Sequence, residues 1–292
     1  MDREIKKVKF EAKHPLQIEV VELSVLTKKF SEAISFPHRT NFYHVFLFEN
    51  CNLTHIVDFN PIQIKPYTLL FIDKDRVHQF DYDSLYYGKV IIFTDEFFCN
   101  SNEDSKFLKS TILFNDLTGE ASFRIDKTTF SMFLKICDEI NEELKMPVDN
   151  ANQNILKNLL HNFLLFAERE KRRHGFVEMK KGADLDFTLG FKDCLEKNFK
   201  TAKNVRFYSE ILNITEKRLW QSTTKILGKN PKEIIDERLI LEAKRLLVYS
   251  SQSIKEIGLS LGFEESTNFI KYFRKHNNKA PTEFRADYSN FE

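Results

Sequence analysis

Up to about residue 125 the apolar positions fall in short runs of strand character. Phe42-Tyr43-His44-Val45-Phe46-Leu47-Phe48 is aromatic and β-branched, and Thr68-Leu69-Leu70-Phe71-Ile72 and Lys89-Val90-Ile91-Ile92-Phe93 are shorter apolar runs. Pro61, Pro66-Tyr67, Asp73-Lys74-Asp75 and Asp81-Tyr82-Asp83 punctuate them as turns. Many short strands without intervening helices predict an antiparallel barrel or sandwich. After Ile125 the period changes. Phe130, Phe133, Leu134, Ile136, Cys137, Ile140 and Leu144 follow helical spacing, and Pro147 ends that helix. A second helix is predicted near Asn154–Arg169, with Ile155, Leu159, Leu160, Phe163, Leu164, Phe166 and Ala167 on its apolar side. Two such helices either cap the small barrel or offer a dimer interface. We expect the helices at about 127–145 and 151–169 to mediate homodimerisation, through residues such as Leu160 and Phe163.

The stretch Arg169-Glu170-Lys171-Arg172-Arg173-His174-Gly175, followed by Lys180-Lys181-Gly182, is charged and Gly-punctuated. It predicts a connector over 171–187, between an N-terminal domain, 1–170, and a C-terminal one, 188–292. The last hundred residues contain an internal repeat. Its first copy is Tyr208-Ser209-Glu210-Ile211-Leu212-Asn213-Ile214, and its second is Ile257-Gly258-Leu259-Ser260-Leu261-Gly262-Phe263. In each, a small residue (Ser209, Gly258) stands four before a turn residue (Asn213, Gly262), and an apolar residue follows the turn. This suits a helix-turn-helix: the small residue lets the second helix pack close, and the turn residue must take positive φ.

Beyond each turn the register continues with one extra residue in the second copy. Leu219 and Thr223 then correspond to Phe269 and Phe273, and Gly228-Lys229-Asn230-Pro231 to Asn278-Lys279-Ala280-Pro281. Gly or Asn at a left-handed cap, with Pro three residues on, stops each helix. Between the copies Pro231–Tyr249 reads as one helix, with Ile234, Ile235, Leu239, Leu241, Ala243, Leu246 and Leu247 spread too widely for a single exposed apolar face. One such pattern is easily imitated by any pair of cornered helices; two in fixed register are not.

These residues carry a family resemblance. Leu241-Glu242-Ala243-Lys244-Arg245-Leu246-Leu247, Ser253-Ile254-Lys255-Glu256-Ile257-Gly258, Leu261-Gly262-Phe263, Phe269-Ile270-Lys271-Tyr272-Phe273-Arg274-Lys275 and Pro281-Thr282-Glu283-Phe284-Arg285 resemble the DNA-binding domain of AraC-type (AraC/XylS) transcription regulators. The resemblance covers residues 190–288, about a third of the chain. Asn278 stands where Gly is usual before Pro281, and Thr223 where the first recognition helix usually has Phe. Pro37-His38-Arg39, Phe42-Tyr43, Ile64 to Ile72 and Val77-His78-Gln79-Phe80 are less specifically similar to the cupin-like effector domain of the same family. The resemblance implies an α+β chain: a cupin-like β-barrel with two following helices, then an all-α domain of two helix-turn-helix units joined by a long helix. It also implies control by a small-molecule effector, promoter DNA and RNA polymerase as partners, and activation rather than repression.

A recognition helix enters the major groove with its N-terminal residues toward base edges. In the first unit Thr215 is the expected N-cap; Leu219, Ser222, Ile226 and Leu227 are expected inside, and Lys217, Arg218, Trp220, Gln221 and Thr224 on the DNA side. In the second, Phe269, Ile270 and Phe273 are expected in the core, and Ser266, Thr267, Asn268, Lys271 and Arg274 against DNA. Gln and Asn suit adenine; Lys and Arg suit guanine or phosphate. Glu264 and Glu265 read as structural, at a helix N-terminus that favours acids. Two units on one helix would meet successive major grooves roughly 34 Å apart.

Composition narrows the alternatives. The 292 residues, 42% hydrophobic and 30% charged, predict two folded domains rather than a disordered chain. No uncharged apolar run is long enough to span a bilayer, and the opening Met1-Asp2-Arg3-Glu4-Ile5-Lys6-Lys7 has no apolar signal core. Cys51, Cys99, Cys137 and Cys194 are far apart, which predicts neither a zinc knuckle nor a disulfide scaffold, and suits a reduced cytoplasmic protein. The net charge of +1 hides an asymmetry: from Gly190 onward there are 19 basic and 14 acidic residues, against 25 and 29 before it. A basic C-terminal third fits an anionic partner.

His38 and His44 share strand parity and His78 lies on a later strand, which raises a metal site. No carboxylate has a matching place, so no metal or cofactor is expected. Neither GxSxG, HExxH nor a P-loop occurs, and no cysteine has the setting of an alkyl-accepting nucleophile, so no enzyme is expected. A metal-dependent cupin enzyme fused to a DNA module stays as the alternative. His38, Phe42, His44, Phe46, His78 and Phe80 are the expected effector pocket, aromatic with a few polar groups. A filled aromatic core, with no ligand, is the competing reading.

Overall fold

The computed structural model describes residues 5–10, 16–81, 84–114, 122–175 and 182–289. The chain divides into two compact units, Lys6–Glu178 and one made chiefly of Met179–Glu292. Of the expected connector 171–187, residues 176–181 lie outside the described residues, as do Tyr82 and Asp83 of one expected turn.

The N-terminal unit holds strands β1 (Lys6–Val8), β2 (Ile18–Glu22), β3 (His38–Thr40), β4 (Tyr43–Phe48), β5 (Leu53–Val57), β6 (Asn60–Ile64), β7 (Thr68–Ile72), β8 (Val77–Gln79), β9 (Gly88–Phe93) and β10 (Ser122–Arg124). They form two five-stranded sheets, in the orders β1-β3-β8-β5-β6 and β10-β7-β4-β9-β2. Every pairing is antiparallel except that of β1 with β3. The sequence pattern missed three helices among the strands: α1 (Leu23–Ser35), α2 (Asp95–Phe98) and α3 (Asn102–Ser110). Leu23 and Leu26 of α1 pack into the core between the sheets.

The second sheet is covered on both faces, which explains why β4 and β7 read as unbroken apolar runs. Phe46, Phe48, Leu70, Ile72 and Val90 join a core with Leu53, Val57 and Ile64 of the first sheet. Val45, Leu47, Leu69, Phe71, Ile91 and Phe93 face the other way. They meet α4 (Lys127–Lys145) and α5 (Asn152–Arg173), whose Phe130, Phe133, Ile140, Leu156, Leu160, Phe163 and Leu164 are each at most 1% exposed. Leu160 and Phe163, expected at a dimer face, are instead fully buried within one chain, in one core with α4 and the second sheet. In the first sheet β5 alternates, with Leu53, His55 and Val57 buried between Thr54 and Ile56.

The C-terminal unit is all helix: α6 (Ala183–Asn198), α7 (Val205–Ile211), α8 (Glu216–Leu227), α9 (Pro231–Tyr249), α10 (Ile254–Ser260), α11 (Ser266–Asn277) and α12 (Pro281–Ser289). α5 runs on to Arg173 and α6 begins at Ala183, which shortens the expected connector from both sides. α9 matches the predicted span, starting on an Asn230–Glu233 capping box with Pro231 in its first turn. Ile235, Leu239, Ala243 and Leu247 lie in one core with Leu219, Phe269 and Phe273. α9 also buries a chain of charges that its apolar pattern did not announce: Arg238, Glu242 and Arg245 pair at 3.0–3.2 Å, and Arg238 lies 3.9 Å from the Phe199 ring centroid.

Candidate nucleic-acid interface

Both predicted turns have the backbone their sequences require. Asn213 takes φ 52° and Gly262 φ 73°. A β-carbon on Gly262 would meet the Lys200 carbonyl oxygen at 2.0 Å, so only glycine fits there. At Gly258 a β-carbon would sit 3.1 Å from Cβ of Phe269, which is the close helix approach inferred from the repeat. Each turn closes with one equivalent bond: Ile214 N–H donates to Ser209 O and Phe263 N–H to Gly258 O, both at 3.0 Å. The two following helices end alike on left-handed caps, Gly228 and Asn278.

α8 starts on Thr215, whose hydroxyl accepts from Arg218 N–H at 3.1 Å. Leu219, Ser222 and Thr223 are fully buried; Ile226 and Leu227 are half-buried. Lys217 and Gln221 are exposed and Trp220 is 52% exposed. Thr224 is half-buried, with a hydroxyl oxygen that has no partner. Beside them an open groove runs between α7, α8 and the start of α9, lined by Val205, Lys217, Trp220, Pro231 and Lys232. Arg218 behaves differently from the other four candidates. Its guanidinium meets Asp184 of α6 at 2.6 Å and lies over the Phe187 ring. Lys225 reaches the other oxygen of Asp184 at 2.6 Å, and the Ser222 hydroxyl lies 3.3 Å from the first. These cations hold the Asp184 carboxyl below its ordinary range, the Lys225 hydrogen bond first.

On α11, Thr267, Asn268, Lys271 and Arg274 are exposed and Ser266 is half-buried. Phe269 and Phe273 are core, but Ile270 is 37% exposed, which corrects its expected place. It lies about 100° round the helix from Phe269, at the position that Trp220 holds in the first unit. Glu265 stands at the N-cap of α11, makes no side-chain capping bond, and accepts from the Thr267 hydroxyl at 3.1 Å. Tyr272, at the place of Ser222, donates to the buried Asp236 of α9 at 2.5 Å. The second helix of each unit, α8 and α11, is therefore anchored to a carboxylate near the start of the preceding long helix. The sequence reading stopped at the two-helix repeat and missed both anchors.

In the N-terminal unit the six expected effector residues do come together. His38, Phe42, His44, Phe46, His78 and Phe80 are all buried, and they pack ring against ring. Register explains it: His38 pairs with His78 across β3 and β8, and Val57 pairs with His78 across β5 and β8. His44 comes from the facing sheet, with ring centroids 4.7 Å from His78; His38 lies 4.4 Å from it. A seventh member was missed. His55 is fully buried, and its Nε2 lies 3.3 Å from Nδ1 of His78. Its place in the alternating Leu53-Thr54-His55-Ile56-Val57 was the available signal. Burial pushes all four histidines toward the neutral form, His55 to about 3 and His44 and His78 well below the ordinary value. Nδ1 of His44, Nδ1 of His55 and Nε2 of His78 have no hydrogen-bond partner. Among the described residues no group of three or more His, Cys, Asp or Glu is arranged to hold a metal ion, and no helix is long and apolar enough to cross a membrane.

Comparison with known proteins bears on the helical unit first. Residues 208–287 match the family model of a helix-turn-helix domain. The lactose operon transcription activator of Staphylococcus xylosus is 29% identical over 97 residues, 33% of this chain and 35% of that protein. The chain thus spans about a third of that relative's length. The HTH-type transcriptional activator RhaS of Escherichia fergusonii is 22% identical over 262 residues, 86% of this chain and 88% of RhaS. A solved transcriptional regulator of Chromobacterium violaceum, described as of the AraC-type DNA-binding class, is 24% identical; the match covers 37% of this chain and 96% of that one, with a TM-score of 0.33.

Proposed function

We propose that this chain, a member of the AraC/XylS family by its C-terminal unit, is a sequence-specific DNA-binding transcription regulator that acts as an activator. One observation carries the reading: two helix-turn-helix units with matching left-handed turns, each presenting an exposed polar helix face. Lys217, Trp220, Gln221 and Thr224 form the first reading face, and Ser266, Thr267, Asn268, Lys271 and Arg274 the second. Activation is supported by what the relatives are called, two of them activators; contact with RNA polymerase is the route proposed for it. Selection of bound duplexes from a random pool tests the reading: one asymmetric site with two recognised segments about one helical turn apart is expected. A chain that enriches no sequence would overturn it. Transcription from a promoter bearing that site, with and without the protein, tests activation.

The N-terminal unit is proposed as the sensing and dimerising part. Three buried ring nitrogens without partners are what a small polar ligand would satisfy. A second copy would dock on the outer side of α5, where Ile155 and Leu165 are 40% and 43% exposed. Ile155→Lys with Leu165→Lys is expected to give a folded monomer in sedimentation; an unchanged mass would remove that face.

A further inference from the structure

The repeat sets each residue of α8 against one of α11 fifty positions on, and the comparison isolates two cations. Arg218 and Lys225 lie seven residues apart, two helical turns, on one flank of α8 with Ser222 between them. Asp184 meets all three, at 2.6, 2.6 and 3.3 Å. Its side chain is 17% exposed, against 36% for Arg218 and 70% for Lys225, so the acid is the fixed partner and the cations come to it. The Phe187 ring, on the same helix as Asp184, supports the Arg218 guanidinium at 5.2 Å from its centroid. On α11 the situation is reversed. Lys271, Arg274 and Lys275 are exposed and make no ion pair among the described residues.

We propose that Asp184 sets the strength of sequence-independent binding: it withholds Arg218 and Lys225 from the DNA phosphates, so that α8 reads bases through Lys217, Trp220 and Gln221 while α11 carries the backbone charge. This rests on the DNA-binding reading above. Phosphate contacts strengthen binding to every sequence alike, whereas base contacts separate one sequence from another. A carboxylate that occupies two cations beside a reading face therefore lowers affinity for all DNA alike and leaves discrimination to the base contacts. Asp236 anchors Tyr272 at the matching place on α11 without engaging Lys271, Arg274 or Lys275.

The test uses the full chain, a short random-sequence duplex and the duplex selected by the native protein, with affinity measured across a potassium chloride series. Asp184→Asn is expected to bind the random duplex several-fold more tightly at low salt. Its log–log salt slope is expected to steepen by ~0.9–1.8, the equivalent of one to two further phosphates. The ratio between selected and random duplex is expected to stay the same, because the added phosphate contacts are common to both. Lys225→Gln in the native chain is expected to leave the slope unmoved, whereas Lys271→Gln makes it shallower by ~0.9. An unmoved slope in folded Asp184→Asn, with both duplexes weakened equally, would reduce Asp184 to a structural anchor and overturn the proposal. If Asp184→Asn does not fold, Lys225→Gln decides: a slope as shallow as that of Lys271→Gln overturns it. Native protein that binds neither duplex at low salt removes the DNA-binding reading itself, and the proposal with it.

Discussion

The two helix-turn-helix units share a backbone and differ in nearly everything the backbone carries. Both turns sit at positive φ, at Asn213 and Gly262, and both following helices end on left-handed caps. Yet the core position that Phe273 fills in the second unit is Thr223 in the first, fully buried, its hydroxyl donating to the Trp220 carbonyl at 3.3 Å. The exposed helix faces diverge further: Lys217, Trp220 and Gln221 in one stand where Thr267, Ile270 and Lys271 stand in the other. Turn geometry admits few residues, so both copies keep it. A solvent-facing helix surface admits many, so it can follow whatever it contacts.

The comparison breaks first in the cores. Phe273→Ala is expected to cost about 3–5 kcal/mol in the transition of the C-terminal unit, as for other large-to-small changes of a buried aromatic. Thr223→Phe, which imposes the second unit's residue on the first, is expected to cost about 1–3 kcal/mol through overpacking; a stabilising result would mean that the first core is under-filled. At the turns the expected effects are smaller. Gly262→Ala, which places a β-carbon against the Lys200 carbonyl, is expected to cost about 2–3 kcal/mol, whereas Asn213→Gly is expected to shift stability by less than ~1 kcal/mol. Urea titration of both variants checks this. On DNA, Gln221→Ala and Asn268→Ala are each expected to cost about 1–3 kcal/mol at a single base position, the two positions ~10 base pairs apart. Uniform weakening over all single-base variants of the site would make these side chains backbone clamps. The smallest effect belongs to Asp184. Its carboxyl titrates below the ordinary range because Lys225 and Arg218 favour its charged form, so its stabilisation is present at neutral pH and lost as acid protonates it. Native chain and Asp184→Asn are expected to differ slightly in urea midpoint at pH 7 and to converge as acid protonates the carboxyl.

How much was legible follows from what each signal measures. The repeat, the α9 span and the N-terminal strands came from local spacing, which is what a sequence displays. Ile270 was placed inside because it is apolar and adjoins Phe269. Its equivalence to Trp220, already in view through the repeat, argued the other way, and the structure follows the repeat. α4 and α5 were given a second chain to cover them because the sequence does not show that β4 and β7 need covering on their far side; an unbroken run such as Thr68–Ile72 was the hint. Arg218 looked free because its partner, Asp184, is 34 residues away in the chain, and pairings of that kind are invisible to periodicity. His55 was readable from alternation alone.

The four histidines that meet between the sheets make the N-terminal unit sensitive to mild acid. In the unfolded chain they take up protons at ordinary values near 6.5, whereas burial lowers that value for each in the folded chain. Below pH 6.5 the unfolded state therefore binds more protons, and mild acid draws the equilibrium toward it. Each histidine that stays neutral on folding contributes a loss of up to ~1.4 kcal/mol per pH unit. The C-terminal unit has a single histidine, His276, which is partly exposed and 3.7 Å from Asp236. Urea melts at pH 7 and pH 5 are expected to separate into two transitions, with only the sheet unit moving to lower urea. Mild acid is thus expected to weaken the sheet unit before it weakens the helical one.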